Sequence, residues 1–269
     1  MLRNIYRPDD NNYPSFVFDS NFNLLGTYQS QDSQLFKLTP IHYSLKNDKS
    51  AFSILAKGND EEFGVMLISV VFIKPDLRKN VSHGSTKYNY LLGPGVKARW
   101  SSPEINIDLC TTDVARYYYA QKAIESWQDA FASSDTKMKF KFSQKRDYPP
   151  FSDLNSQCVY FVNNLIREAD EKYSNMGTTF LTLDSQAGKI IDSDIIIWDK
   201  EINKIRNYYQ KEGHEFNEQQ FYYETIMHEY GHYLGLDHQF NPNVPSVMSY
   251  ADTSKIRAYD IEAINELYR

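Results

Sequence analysis

The chain has 269 residues, of which 41% are hydrophobic and 15% aromatic, and its formal net charge is −6. So much apolar material can form a large core, which argues against intrinsic disorder. The longest apolar stretch, Phe63–Ile73, is far shorter than the ~20 residues of a membrane-spanning helix, so we expect no membrane span. The negative charge also opposes binding to phosphate backbones, and we expect no nucleic-acid ligand.

A cluster of breaker residues, Leu91-Leu92-Gly93-Pro94-Gly95, indicates a boundary between two domains. We predict a smaller, β-rich N-terminal domain over residues 1–94 and a larger domain over residues 95–269. The N-terminal part contains short apolar runs between polar turns, which favour strands. These runs are Ser15–Phe18, Ala51–Leu55 and Val65–Ile73.

The larger part alternates between strand and helix patterns, which predicts a layered α/β domain. Five segments have the alternation or apolar density of strands: Ile105–Leu109, Met138–Phe142, Cys158–Val162, Thr179–Leu183 and Asp194–Trp198. Three segments have helical spacing: Asp113–Ala132 after Thr112 as N-cap, Asn217–Leu234, and Asp260–Tyr268.

Half of the six histidines lie within eleven residues, from His228 to His238. His228 and His232 are four residues apart, so a helix places both imidazoles on one face, where they can share one zinc ion. Glu229 lies about 100° further round the helix. It is therefore a poor third ligand but can reach a water molecule in the open position of the metal.

The third ligand requires the helix to end. On a continuous helix His238 would lie ~9 Å beyond His232 and on another face. Gly235 can adopt the left-handed conformation that ends a helix and turns the chain back, which brings His238 to the metal. Three histidines with a fourth position open are typical of a catalytic zinc site. Chance would put each histidine in register with odds of only ~2%, so we interpret the pattern as a metal site.

The segment His228–His238 matches HExxHxxGxxH and resembles the signature of the metzincin zinc peptidases. Ser246-Val247-Met248-Ser249-Tyr250 follows, and it resembles the Met-turn of that family, whose methionine lies beneath the metal. The resemblance implies a role for Tyr250 near the zinc, as a fifth ligand or as a stabiliser of the oxyanion; a packed aromatic is the alternative. The residues around Trp100, Trp127 and Trp198 and the closing helix from Tyr259 resemble the matrixin-like branch.

This resemblance implies a zincin-like catalytic domain with a mixed, mostly parallel sheet and an active-site helix. It also implies one catalytic Zn²⁺ per chain and a zinc-dependent endopeptidase that acts on proteins or peptides. In that mechanism a zinc-bound water attacks the peptide bond, with Glu229 as general base. The substrate would lie extended along an edge strand, Thr179–Leu183.

Two features depart from the family pattern. Gln239 follows the third histidine where subfamilies carry a diagnostic residue, which leaves the subfamily open. No histidine lies between Ala98 and Lys211, so the ligands of a second, structural zinc are missing. Calcium is an alternative ion, and a solvated acidic face is the plainer interpretation of its candidate ligands. These are Asp184, Asp192, Asp194 and Asp199.

Two other functions fit the same residues: a catalytically silent zincin-like binding module, and a zinc hydrolase with a substrate other than peptides. The intact Glu229 argues against the silent module. Family analogy implies a secreted or cell-surface protein, although Met1–Asp10 has no apolar signal core. The sequence does not give the oligomeric state, and a monomer is the default expectation.

Cys110 and Cys158 lie on predicted strands, one at a C-terminal end and one at a start. If these strands are parallel neighbours, the thiols lie at opposite ends of the sheet, and we predict two free, buried thiols.

The N-terminal part has two interpretations, an accessory β-rich domain or a segment that blocks the cleft. No cysteine precedes Cys110, so a blocking segment would have to use a carboxylate on the zinc. The candidates are Asp9, Asp10, Asp19, Asp32, Asp48, Asp60 and Asp76.

Overall fold

The structure is a computed structural model. It describes residues 15–18, 24–28, 39–45, 51–60, 64–73, 81–102, 104–132, 138–145, 157–162, 176–184, 187–249 and 254–269. The contacts divide these residues into two compact units, one with the strands before residue 74 and one with residues 81 onward.

The described residues of the first unit lie in strands, and the β-rich N-terminal domain over residues 1–94 stays a prediction. β1 (Ser15–Phe18) pairs antiparallel with β2 (Leu24–Tyr28). A second sheet has the order β3 (Thr39–Leu45), β4 (Ala51–Asp60) and β5 (Gly64–Ile73), all antiparallel. Asp60 is the last residue of β4, whereas the other six candidate blocking aspartates lie outside the described residues.

The predicted domain boundary near residue 94 stays a prediction. Residues 81–94 group with the second unit, where a small hairpin forms from β6 (Asn89–Tyr90) and β7 (Gly93–Pro94). This hairpin contacts the C-terminal helix, as described below.

The second unit is built on a five-stranded sheet in the order β11-β12-β10-β8-β9. Its strands are β8 (Glu104–Cys110), β9 (Lys139–Lys145), β10 (Cys158–Val162), β11 (Gly177–Asp184) and β12 (Lys189–Trp198). The pairs β8–β9, β8–β10 and β10–β12 are parallel, and β11 pairs antiparallel with β12 as an edge strand. The predicted mixed, mostly parallel sheet is therefore confirmed.

Four helices accompany this sheet in the described part of the chain: α1 (Val114–Ala132), α2 (Asp199–Lys211), α3 (Glu218–Leu234) and α4 (Ala258–Tyr268). The predicted N-cap at Thr112 is wrong by one residue, since the side chain of Asp113 accepts the hydrogen bond from Arg116 N at 3.0 Å. The fully buried Trp127 joins α1 to α3 by donating from Nε1 to the carbonyl of Met227 at 3.0 Å. Within the described residues, no helix has the length and apolar character needed to cross a membrane.

The prediction of two free thiols is wrong, because Cys110 and Cys158 form a disulfide with their Cα atoms 6.0 Å apart. The strands are parallel neighbours, as assumed, but they overlap only where β8 ends and β10 begins. Cys158 lies opposite Asp108, two residues from Cys110 and therefore on the same face of the sheet. This stagger brings the two sulfurs together.

Reduction of this disulfide should lower the free energy of unfolding by about 3–4 kcal/mol, because a bridge between residues separated by 48 positions restricts the unfolded chain strongly. Urea unfolding of the metal-free protein, with and without a phosphine reductant, measures the change. The double variant Cys110→Ser, Cys158→Ser is the control and should be insensitive to the reductant. Equal stability of the oxidised and reduced wild type would contradict this expectation.

Candidate metal centre

Helix α3 carries the first two histidines and the glutamate of the motif. It begins where predicted, after Asn217, whose side chain accepts a hydrogen bond from Gln220 N at 3.1 Å. Its C-terminal half is almost entirely buried, from Thr225 to Leu234. The motif therefore lies on a helix that is fixed by packing on most of its surface.

The predicted helix end at Gly235 is confirmed. Gly235 has a φ of 109°, in the left-handed region, and its N–H donates to the carbonyl of His232 at 2.9 Å. The N–H of Leu236 donates to the carbonyl of Gly231 at 3.0 Å, which closes the turn. A Cβ at Gly235 would also collide with the carbonyl of Ala98. The chain therefore reverses here and returns His238 to the face of α3 that carries the other histidines.

The three imidazoles converge as the sequence predicted. One ring nitrogen from each of His228, His232 and His238 lies within 4.8 Å of the others. The Nε2 atoms of His232 and His238 are 3.2 Å apart. Two nitrogens bound tetrahedrally to one zinc at ~2.0–2.1 Å lie about 3.3 Å apart, so the observed separation fits a shared ion.

Hydrogen bonds at Nδ1 of His228 and His232 leave the Nε2 atom of each ring free to bind a metal. Nδ1 of His228 lies 2.8 Å from the carbonyl of Val247, and Nδ1 of His232 lies 2.9 Å from the carbonyl of Leu236. A carbonyl only accepts, so Nδ1 carries the proton in both rings and Nε2 has its lone pair free. This donor set suits zinc.

Burial also keeps these rings neutral. It lowers the pKa of His228 to about 4 and that of His232 to about 3, and it lowers the pKa of His238 in the same direction. A protonated imidazole has no lone pair for a metal. At neutral pH the site therefore presents uncharged ligands.

Glu229 is buried beside the histidines, with 7% of its surface exposed. Its carboxylate Oε2 lies 2.6 Å from the hydroxyl of Thr179, which also lies 2.9 Å from the Glu229 backbone carbonyl. A Cβ on Gly177 would come within 2.6 Å of Cγ of Glu229, so the start of β11 packs tightly against this side chain. Burial raises the pKa of Glu229 to about 7, against the opposing effect of the Thr179 hydroxyl.

The turn around Met248 packs beneath the helix. A Cβ on Gly231 would collide with Sδ of Met248, so the thioether lies directly against the α3 backbone. The buried carboxylate of Asp260, on α4, accepts hydrogen bonds from the hydroxyl of Ser246 and from Val247 N at 2.9 Å. Since Val247 holds His228, Asp260 fixes the turn and, through it, the first imidazole.

The family model described as Matrixin matches residues 99–269, which is more than half of the chain. The chain belongs to the matrixin family. A search of curated proteins found no match. Membership supports a zinc metallopeptidase, and the three histidines form the group that a matrixin needs for its catalytic zinc.

The arrangement of the four aspartates considered for calcium gives no support for a site. In the described part of the chain, no set of carboxylates converges as the three histidines do. Asp194 and Asp199 are only 2% and 3% exposed, so a solvated acidic face does not describe them either. Each carboxylate accepts a bond from the protein: Asp184 from Ala187 N, Asp192 from Gln157, Asp194 from Cys158 N, and Asp199 from Arg116 and Tyr222.

Gln239 and Tyr250 are the two further residues that the sequence singles out near the motif. Gln239, the departure from the family pattern, is buried, and its N–H donates to the carbonyl of Met248 at 2.9 Å, which ties the third-histidine loop to the Met-turn. Tyr250 lies outside the described residues, and its role near the zinc stays a prediction.

Proposed function

We propose that this matrixin is a zinc-dependent endopeptidase in which His228, His232 and His238 bind the ion and Glu229 is the general base. One observation carries the proposal: three neutral imidazoles converge beside a buried carboxylate that is held by a neighbouring strand. A silent binding module would need the histidines but not that carboxylate.

Zinc, when bound, supplies a Lewis acid that polarises the scissile carbonyl and acidifies water toward a pKa of ~7. Glu229 accepts a proton from the attacking water and delivers it to the leaving amine. A carboxyl group whose pKa lies at about 7 is suited to both transfers, since it can take and release a proton near neutral pH.

The proposed binding site for the substrate is the outer edge of β11. This strand forms one edge of the sheet, and its Thr179 contacts Glu229. An extended peptide can add to such an edge by main-chain hydrogen bonds, which recognises the backbone rather than one side chain. We therefore propose that the enzyme cleaves within extended stretches of protein substrates.

Digestion of casein or gelatin, with and without a zinc chelator, separates the candidate functions. The proposal requires new amino termini that disappear with the chelator. Zinc binding without cleavage would favour the silent module, and turnover of a non-peptide ester alone would favour a different zinc hydrolase.

We further propose that the protein acts in an oxidising compartment, outside the cytosol. The Cys110–Cys158 disulfide supports this, because such bridges persist in secreted proteins and are rare in reducing compartments. Thiol labelling of the protein isolated from its source would show two blocked cysteines; two reactive thiols would contradict the proposal.

Thr179→Val should lower kcat by roughly tenfold with little change in KM, because valine keeps the shape but removes the hydroxyl that holds the general base. The loss corresponds to ~1.4 kcal/mol, close to the ~1.5–3 kcal/mol of a hydrogen bond to a charged group. Steady-state peptide hydrolysis measures the two constants. Thr179→Ser retains the hydroxyl and should stay near the wild type; equal loss in both variants would assign the effect to packing.

The role of the N-terminal part, predicted as residues 1–94, stays open between accessory domain and blocking segment. Latency requires a chain that begins at Pro75 to be clearly faster than the full chain, whereas equal or lower activity supports the accessory interpretation. A later start, near Val96, would remove Asn89 and the buried Tyr90 from the catalytic unit.

A further inference from the structure

The third histidine differs from the other two in how its position is fixed. His228 and His232 are four residues apart on α3, and each ring donates to a backbone carbonyl. His238 lies beyond the helix, on the chain that leaves Gly235. Its backbone therefore needs support from elsewhere in the fold.

That support comes from the hairpin segment 89–91. It runs antiparallel to the chain after Gly235, with Tyr90 opposite Leu236. The N–H of Asp237 donates to the carbonyl of Asn89 at 3.0 Å, and the N–H of Leu91 donates to the carbonyl of Gly235 at 3.2 Å. The loop of the third histidine is thus paired with the hairpin like a short strand.

The side chain of Asn89 adds a bond at the histidine itself. Its Nδ2 donates to the backbone carbonyl of His238 at 3.0 Å. Its own N–H donates to the hydroxyl of Tyr259, on α4, at 3.2 Å. Asn89 therefore bridges the C-terminal helix and the residue whose imidazole joins the metal site.

The hairpin that carries Asn89 is itself packed against α4. Tyr90 is fully buried and its hydroxyl donates to the carbonyl of Ala263 at 3.2 Å. The rings of Tyr88 and Tyr259 lie 5.4 Å apart, and Lys97 donates to the carbonyl of Glu266. These contacts anchor the hairpin and the residues that flank it to α4, the helix whose Tyr259 also accepts a bond from Asn89.

We propose that Asn89 is a positioning residue for the third zinc ligand, and that the metal site of this chain extends into residues outside the family match, which begins at residue 99. The proposal rests on the proposed function, since it takes His238 as a ligand. Substitution of Asn89 removes none of the three histidines, but it loosens the backbone that carries the His238 imidazole. Outer-shell groups that orient a ligand typically change metal affinity by ~10–100-fold when mutated, and Asn89 would act in this way through the backbone of His238.

Zinc affinity of the full chain, measured by competition with a chromophoric chelator, tests the proposal without reference to activity. Asn89→Ala removes the amide, and Asn89→Leu replaces it with an apolar group of similar size. Both should weaken zinc binding by ~10–100-fold. Asn243→Ala, an exposed asparagine further along the same loop, is the control and should bind zinc as the wild type does.

Thermal unfolding of the metal-free variants separates positioning from a general loss of stability. A purely structural contact would lower the unfolding temperature of Asn89→Ala and leave its zinc affinity within twofold of the wild type, and this result would overturn the proposal. If Asn89→Leu does not fold, Asn89→Ala decides alone. A wild type that binds zinc but cleaves no protein would end the proposed function and leave this test valid.

Discussion

Replacing Glu229 by glutamine should lower peptide turnover by ~10²–10⁴-fold while the zinc content stays unchanged, since proton transfer by a positioned side chain contributes about that much. Glutamine has nearly the same shape as glutamate, so the tight packing against Gly177 persists, and its amide oxygen can still accept from Thr179. What it loses is the ability to take a proton. Initial rates of peptide hydrolysis and metal analysis on the same sample give both quantities.

Glu224→Gln is the matched control for this variant. Glu224 lies on the same helix but accepts a hydrogen bond from Gln220 at 2.8 Å, away from the histidines. It should retain wild-type turnover. Near-normal turnover of Glu229→Gln would remove this residue from the mechanism, and loss of zinc from it would make the effect structural.

His238→Ala should weaken zinc binding by more than the ~100-fold that marks the loss of an outer-shell contact, because it removes a ligand itself. Activity should fall with the occupancy of the site. The loop should keep its path, because alanine retains the backbone carbonyl that accepts from Asn89. The bond from Gln239 N to the carbonyl of Met248 does not involve the substituted residue. Zinc affinity by chelator competition and circular dichroism of the same variant measure the two expectations.

The control is His214→Ala, at an exposed histidine between α2 and α3. It should change neither zinc affinity nor turnover. Full zinc occupancy and activity in His238→Ala would show that the third ligand is a different residue.

The centre of the site could be predicted because it is local in sequence. His228, His232 and Gly235 determine their own relation through helix geometry and one left-handed residue. Thr179 and Asp260 could not be assigned in the same way, since they reach the site from β11 and α4 through tertiary packing. No spacing in the sequence indicates which hydroxyl or carboxylate will meet the motif.

The two clearest errors have similar causes. The disulfide depends on the stagger between β8 and β10, and strand patterns predict which segments pair but not their register. Helix α2 was not predicted because Ile202 is its one buried apolar residue, and its buried Asp199 pairs with Arg116 on α1. A helix that buries a single apolar side chain offers few apolar positions from which a helical period can be recognised.

Restoring zinc to the metal-free protein is the decisive test of a zinc endopeptidase. The full chain and a chain that begins at Pro75 are freed of metal and titrated with zinc, while new amino termini from denatured casein are counted. We expect no cleavage without zinc and a rise that ends at about one equivalent per chain, as three histidines with one open position require. Cleavage that persists without metal, or zinc-loaded protein of both lengths that produces no new amino termini, would contradict a zinc endopeptidase.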